Sequence, residues 1–416
     1  ELAEARRGRE RTNWDAPYII SPHSHTRLYW GGNDLYRSDD RGDSWERISP
    51  DLTRDLDKDT LPIMGKVWDS TAVRKDASTT TLSTIVTLDE SPLFEGLIYV
   101  GTDDGLLQIT EDAGENWHRV DEFPDVPRWT YVTDVFPSPR DANTVFVSLN
   151  NWQRGDYNPY IVKSTDRGQT WTNITGNLPA LNNVWSVIQD HENGDLLFAG
   201  TEFGVFASFD GGAGWVQLEG GMPPAQVRDM AVQRRENDLV LATFGRGFYV
   251  LDDYSPLRDM SAEALDEDAV LFSLRDPYLF NATGLNPAGS ASIADLSGNF
   301  TTPNPPTGAV FTYHANSGMD EDQDLVLVIK DAEGEVVRTL DLDSDAGLHR
   351  ATLDIRGETP AADSNQGQAR GGFTRRARQG PLVEAGRFEA VLAWKTGDDV
   401  TEFGPAQSFH VIGVEW

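Results

Sequence analysis

The 416-residue chain contains no cysteine, which excludes disulfide staples and thiolate metal sites. No uninterrupted apolar run approaches the ~18 residues that a membrane-spanning helix needs. Basic residues are scarce, with 35 Lys and Arg against 67 Asp and Glu and a formal charge of -32. That imbalance argues against a nucleic-acid backbone as partner and favours a soluble surface with a cationic or neutral ligand. The opening stretch ELAEARRGRERTNWD carries no apolar segment of signal-peptide type. Catalytic signatures are missing too: no GxSxG, HExxH or Walker pattern occurs, and GTDDG and GRG read as hairpin turns. Aromatics, in contrast, are plentiful: 12 Trp, 18 Phe and 11 Tyr can fill sizeable cores. The length exceeds what one core supports, so two or more domains are expected.

One pattern, Ser/Thr-x-Asp-x-Gly-x-x-Trp, occurs four times. Its key residues are Ser38, Asp40, Gly42 and Trp45, then Thr110, Asp112, Gly114 and Trp117. They return as Ser164, Asp166, Gly168 and Trp171, and as Ser208, Asp210, Gly212 and Trp215. Each box closes an alternating hairpin such as LIYVGTDDGLLQITED or LLFAGTEFGVFASFD. In such a box the Asp accepts backbone N–H groups, Gly supplies a positive φ, and Trp folds back as an apolar plug between units. One carboxylate and one hydroxyl fall short of the roughly 6–8 oxygens that Ca²⁺ takes, so the boxes are structural turns and no metal is expected. The four Trp are expected in equivalent, largely buried positions.

The box spacing predicts one four-stranded β-unit per repeat, the size of a propeller blade. Five units fit between Trp14 and Tyr254, with inner strands APYIISPHS, LSTIVTLDESP, YVTDVFPSP, VWSVIQD and VRDMAVQRR. The fifth has lost its box. The predicted fold class is all-β: a propeller portion of about five blades, incomplete alone, followed by a β-sandwich. The domains are 1–257 for the blades, 258–315 for an irregular connection with a short helix at 260–267, and 316–416 for the sandwich. Sandwich strands are predicted at 324–330, 335–340, 348–355, 387–395 and 406–412, with a mobile Gly/Arg-rich loop near 356–380. Five blades leave two open edges, so upstream sequence of the same protein or another subunit is expected to complete the ring.

The boxes and phrases such as SPHSHTRLYWGGNDLYRSDDRGDSWERISPDLT and LATFGRGFYVLDDYSPLR resemble bacterial Asp-box (BNR) repeat proteins with a sortilin-like propeller. The tail segments NPPTGAVFTY and GPLVEAGRFEAVLAW fit the same group, often described as glycosyl hydrolase-like, so the resemblance covers most of the chain. It implies a large exported protein, periplasmic or extracellular, with two propeller portions and an immunoglobulin-like C-terminal sandwich. It implies no single activity, because Asp boxes occur in enzymes and receptors alike.

Candidate catalytic carboxylates are Asp15, Asp134 and Asp229, with Asp69 and Asp190 as further inner-strand acids. Glycosidases need two carboxylates on either side of a sugar, about 5–9.5 Å apart. Arg128, Arg228 and Arg246 lie near strand starts, but the absence of an RIP-type motif argues against a sialidase. His23 and His25 in SPHSH read as a surface turn. Trp14, Trp129, Tyr131 and Trp185 fall at or before the start of inner strands, at the channel mouth of a propeller. There they could bind a sugar or a peptide side chain, with Asp15 and Arg228 as polar partners. The leading expectation is a protein- or glycan-binding module, or a subunit of an extracellular assembly, with no cofactor. The rival is a glycoside hydrolase working in a cleft between two propeller portions.

Overall fold

The computed structural model describes residues 10–62, 64–69, 71–73, 81–279, 308–316, 323–353 and 384–413. It parts into two compact units, residues 1–251 and 252–416. No helix among the described residues is long and apolar enough to cross a membrane. The loop expected near 356–380 lies outside the described residues.

The first unit is a run of antiparallel meanders, each pairing consecutive strands. Sheet one holds β1 (Tyr18–Ile20), β2 (Leu28–Gly31), β3 (Leu35–Ser38) and β4 (Glu46–Arg47). Sheet two holds β5 (Ile85–Glu90), β6 (Ile98–Thr102), β7 (Leu107–Thr110) and β8 (His118–Val120). Sheet three is β9 (Tyr131–Pro137), β10 (Val145–Asn151), β11 (Asp156–Ser164) and β12 (Thr172–Asn173). Sheet four is β13 (Val184–Gln189), β14 (Leu197–Thr201), β15 (Gly204–Ser208) and β16 (Val216–Gln217). Sheet five, β17 (Val227–Gln233), β18 (Asp238–Thr243) and β19 (Gly247–Leu251), has three strands, matching the absence of a box in the fifth unit. The innermost strands β1, β5, β9, β13 and β17 pack each on the next. These are five consecutive propeller blades.

Packing between blades follows from the side-chain alternation of strands. Leu88, Ile98 and Val100 of sheet two turn toward sheet one and share a core with Tyr29 and Leu35. Tyr99, Leu107 and Ile109 turn the other way, onto Val132, Val135 and Val147 of sheet three. Close approach needs a missing side chain at the same place in three blades: a Cβ on Gly101 would lie 2.5 Å from Val132 Cγ1 of the next blade, and one on Gly31 or Gly200 would meet the next blade at 2.7 or 2.9 Å. A buried carboxylate stitches the first two blades as well. Glu90 accepts Ser21 Oγ at 2.5 Å, Tyr29 Oη at 3.3 Å and the Gly96 N–H at 2.9 Å.

All four boxes have one geometry. The Ser/Thr oxygens of 38, 110, 164 and 208 accept the N–H of Gly42, Gly114, Gly168 and Gly212 at 2.8–2.9 Å. Asp40, Asp112, Asp166 and Asp210 each accept the N–H four residues on at 2.8 Å. The residue before the box glycine also takes a positive φ: 64° at Arg41, 58° at Ala113 and 56° at Arg167. The tryptophans depart from the expectation of uniform burial. Trp215 is buried, Trp117 and Trp171 are half-buried, and Trp45 is exposed. The cause is the neighbour: Trp117 joins the core shared with sheet one, and Trp171 the core shared with sheet two. Trp215 joins the core shared with sheet three. Trp45 belongs to the first blade and leans on Tyr18 of its own sheet, ring centroids 6.3 Å apart.

The second unit opens with helix α1 (Ala262–Asp266), whose N-cap Ser261 accepts the Ala264 N–H at 3.1 Å. Its strands are β20 (Ala269–Leu271), β21 (Tyr278–Leu279), β22 (Ala309–Ala315), β23 (Asp324–Lys330), β24 (Val336–Asp341), β25 (Gly347–Leu353), β26 (Gly386–Thr396) and β27 (Asp399–Gly413). One sheet has the order β20-β22-β25 and the other β21-β27-β26-β23-β24. Both contribute to a single core, where Phe311 meets Phe409 edge-on at 5.6 Å. Part of the 258–315 stretch expected to be irregular therefore lies inside the sandwich, as β20 and β22.

Candidate functional site

The starts of the innermost strands bring several candidates together. A bulge in sheet five, between Val227 and Asp229, and one in sheet four, between Val184 and Ser186, turn Arg228 and Trp185 out of the ladder. The Arg228 guanidinium then lies over the Trp185 ring, 3.9 Å from its centroid, a close cation–π contact. Trp185 Nε1 donates to Glu202 Oε2 at 3.1 Å, and Gln226 Nε2 donates to the same oxygen at 2.8 Å, which fixes the indole plane. Trp152 approaches Trp185 with ring centroids 6.4 Å apart. Asp15 closes the group as the ion-pair partner of Arg228 at 3.8 Å. Burial raises the Tyr131 phenol, and the nearby charges of Asp15 and Asp103 add to the rise.

Trp129 occupies a second spot. It adopts a φ of 65° between two guanidinium groups, Arg54 and Arg154, each 5.8 Å from its ring. Gly105 must lack a side chain there, because a Cβ would meet Trp129 Cα at 2.6 Å. Arg154 belongs to the short 3-10 turn Trp152–Arg154, so one insertion in sheet three serves both Trp129 and Trp185. No periodicity marks this insertion as part of a site, and Trp152 and Arg154 escape a reading of the sequence for that reason. Trp14 stands exposed in solvent, apart from these stacked rings.

The carboxylates divide into two groups. Asp134 is half-buried, accepts the Val187 N–H of the next blade at 3.1 Å, and is pushed well above the carboxylate range by burial and by Asp229. Asp229 is raised by desolvation, and burial lifts Asp89 to about 7 and Asp103 to about 6. Burial thus works against the charged form at Asp89, Asp103 and Asp134, while Asp229 keeps an exposed side on sheet five. Asp69 and Asp190 do not join them. Asp69 is exposed and accepts Thr71 N and Oγ1 at 2.7 and 2.5 Å, while buried Asp190 accepts the N–H groups of Glu192 and Asn193 at 3.0 and 2.6 Å. Both close their own turns, as Asp side chains do. Arg128 pairs with Glu122 at 3.3 Å, and Arg246 lies exposed in the β18–β19 turn. His23 and His25 are exposed, with His23 Nε2 2.8 Å from the Ser91 carbonyl. Among the described residues no group of acids and histidines could hold a metal ion. What remains is a cluster in which Arg228 covers the buried Trp185, with exposed Trp152 beside it and Asp15 at its edge.

No family model matches the chain. A xyloglucanase from Paenibacillus is 29% identical over 136 residues, which cover 29% of this chain and 13% of that relative. Solved structures similar to the chain include the GH74 xyloglucanase from Xanthomonas campestris, with a TM-score of 0.43 and 16% identity. That match covers 91% of this chain and 62% of the other. The GH74 enzyme of Niastella koreensis gives a TM-score of 0.40 and 14% identity, covering 94% of this chain and 56% of its own. The chain therefore spans less than two thirds of the length of each of these proteins.

Proposed function

We propose that this chain is a propeller-bearing portion of an exported glycoside hydrolase-like protein acting on a β-glucan of the xyloglucan class. The observation that carries the reading is the exposed indole of Trp152, seated beside the buried Trp185 that Arg228 covers, with Asp15 as the ion-pair partner of Arg228. Indole faces take up the apolar faces of glucose rings, and a guanidinium with a carboxylate binds their hydroxyl groups. The local likeness to a xyloglucanase gives the hydrolase reading more support than a binding module alone. In this reading Asp134, which burial pushes well above the carboxylate range, is the first candidate for a general acid, and Asp229, raised by desolvation, the second. Asp15 sits at the sugar-facing edge, and a second propeller portion supplies the opposite wall of the cleft.

The test is release of reducing ends from xyloglucan by the native-length protein and by Asp15→Asn, Asp134→Asn and Asp229→Asn. Release that disappears in one variant with an unchanged circular dichroism spectrum supports the reading. Binding of xyloglucan without release by the unsubstituted protein reduces it to a glycan-binding wall, and absence of both removes it.

A further inference from the structure

We infer that the second unit carries a binding site of its own, a cavity that takes one neutral pyranose unit at the end or branch of a glycan. The inference rests on that cavity and not on the indole cluster of the first unit, so the two can fail separately. Among the described residues, β24 and β25 each pair on one side only, as the last strands of the five-stranded and three-stranded sheets. Between these two edges the sandwich is open, and a cavity of about 320 Å³ lies in the gap. That volume falls at the lower end of the range for small-ligand sites, enough for one sugar ring.

The inner wall is apolar. Leu340, Leu342 and Ala351 pack against the core and line the cavity. Beside them the His349 ring stacks on Tyr313, with centroids 5.3 Å apart and planes at 21°. Tyr313 Oη donates to the Asp343 carbonyl at 3.0 Å, and His349 Nε2 lies 2.7 Å from the Asp345 carbonyl. A carbonyl only accepts, so Nε2 carries the hydrogen, and in the neutral ring Nδ1 is left as an acceptor. The same two bonds staple the turn between β24 and β25 to the stacked rings, which holds this wall in one arrangement.

The rim is polar. By strand alternation Asp341, Arg350 and Thr352 face away from the core, and with Asp343 they edge the cavity. Asp341 is exposed and takes no hydrogen bond or ion pair among the described residues, while Asp343 accepts the Asp345 N–H at 2.9 Å. The Arg350 guanidinium is drawn to the Asp253 carbonyl at 2.7 Å. Two carboxylates at the mouth repel an anion. They also fall short of the oxygen set of a metal ion, and no group of acids and histidines among the described residues could hold one. Carboxylates, an imidazole nitrogen and the Thr352 hydroxyl around an apolar wall match the hydroxyl groups around the apolar face of a sugar ring. A single unit makes few contacts, so this site binds more weakly than an extended glucan surface would.

The test is nuclear magnetic resonance of the whole 416-residue chain with carbon-13-labelled histidine, whose seven imidazoles include His349, assigned through His349→Phe. The titrants are the methyl pyranosides of glucose, galactose and xylose, with glucuronate as the anionic counterpart of glucose. At least one neutral pyranoside is predicted to move the His349 signal saturably, and glucuronate to bind more weakly than the glucoside. Exposed Asp341 has no partner to lose, so Asp341→Ala keeps the fold and should weaken that binding at least about fivefold. Trp152→Ala should leave the titration unchanged. Four results overturn the inference: a static His349 signal with all three pyranosides, equal affinity in Asp341→Ala, glucuronate binding as tightly as the glucoside, or loss of the movement in Trp152→Ala.

Discussion

The box aspartates accept hydrogen bonds that strengthen when the carboxylate is charged, and this ties turn geometry to acid stability. Bonds from Thr170 and Ser164 hold Asp166 down at about 2, and those from Ser44 and Ser38 do the same for Asp40. A depressed carboxylate contributes stability above the unfolded-state value near 4, and the contribution fades as pH falls toward 2. Asp166→Ala should therefore lower the melting temperature at pH 7, with the difference from the unsubstituted protein closing below pH 2. Thermal melts across that range check it. Asp89 behaves in the opposite sense. Burial lifts it to about 7, so the folded state binds its proton more tightly than the unfolded chain does. Stability is lost between pH 4 and pH 7 as that proton leaves, and Asp89→Asn should flatten this part of the profile in urea titrations.

At the scale of elements, the worth of a box tryptophan depends on the blade before it. Trp215 lies in a core with Ile174 and Phe206 and donates to the Ile174 carbonyl at 3.0 Å. Trp215→Ala should cost about 3–5 kcal/mol, as large-to-small changes of buried aromatics do. Trp45→Ala, at an exposed equivalent, should cost under ~1 kcal/mol in the chain alone. Chemical denaturation of the two variants separates these values. The same contrast shows what the sequence made legible. Alternation and box spacing placed the inner strands β5, β9, β13 and β17 within the segments expected, and helix α1 lies inside 260–267. Uneven Trp burial was hidden, since four identical motifs say nothing about which has a neighbour. The left-handed Arg41, Ala113 and Arg167 gave no signal either, because only the fourth box puts glycine, Gly211, at that position. Of the candidate site, Trp185, Arg228 and Asp15 stand out in the sequence through their places at or near strand starts. Their stacking does not, because it depends on bulges in two neighbouring blades.

For the whole molecule, the formal charge of -32 favours a neutral or cationic ligand over an anionic one. The claim that a β-glucan lies on the indole and guanidinium surface is tested most directly by calorimetric titration of the protein with xyloglucan oligosaccharides. Trp152→Ala is the variant of choice, since Trp152 is exposed beside Trp185 and its removal leaves the blade cores intact. The account predicts saturable binding by the unsubstituted protein and an affinity at least about tenfold weaker in Trp152→Ala, a loss of ~1.4 kcal/mol. Equal affinity in the two proteins, or no binding by either, would contradict it.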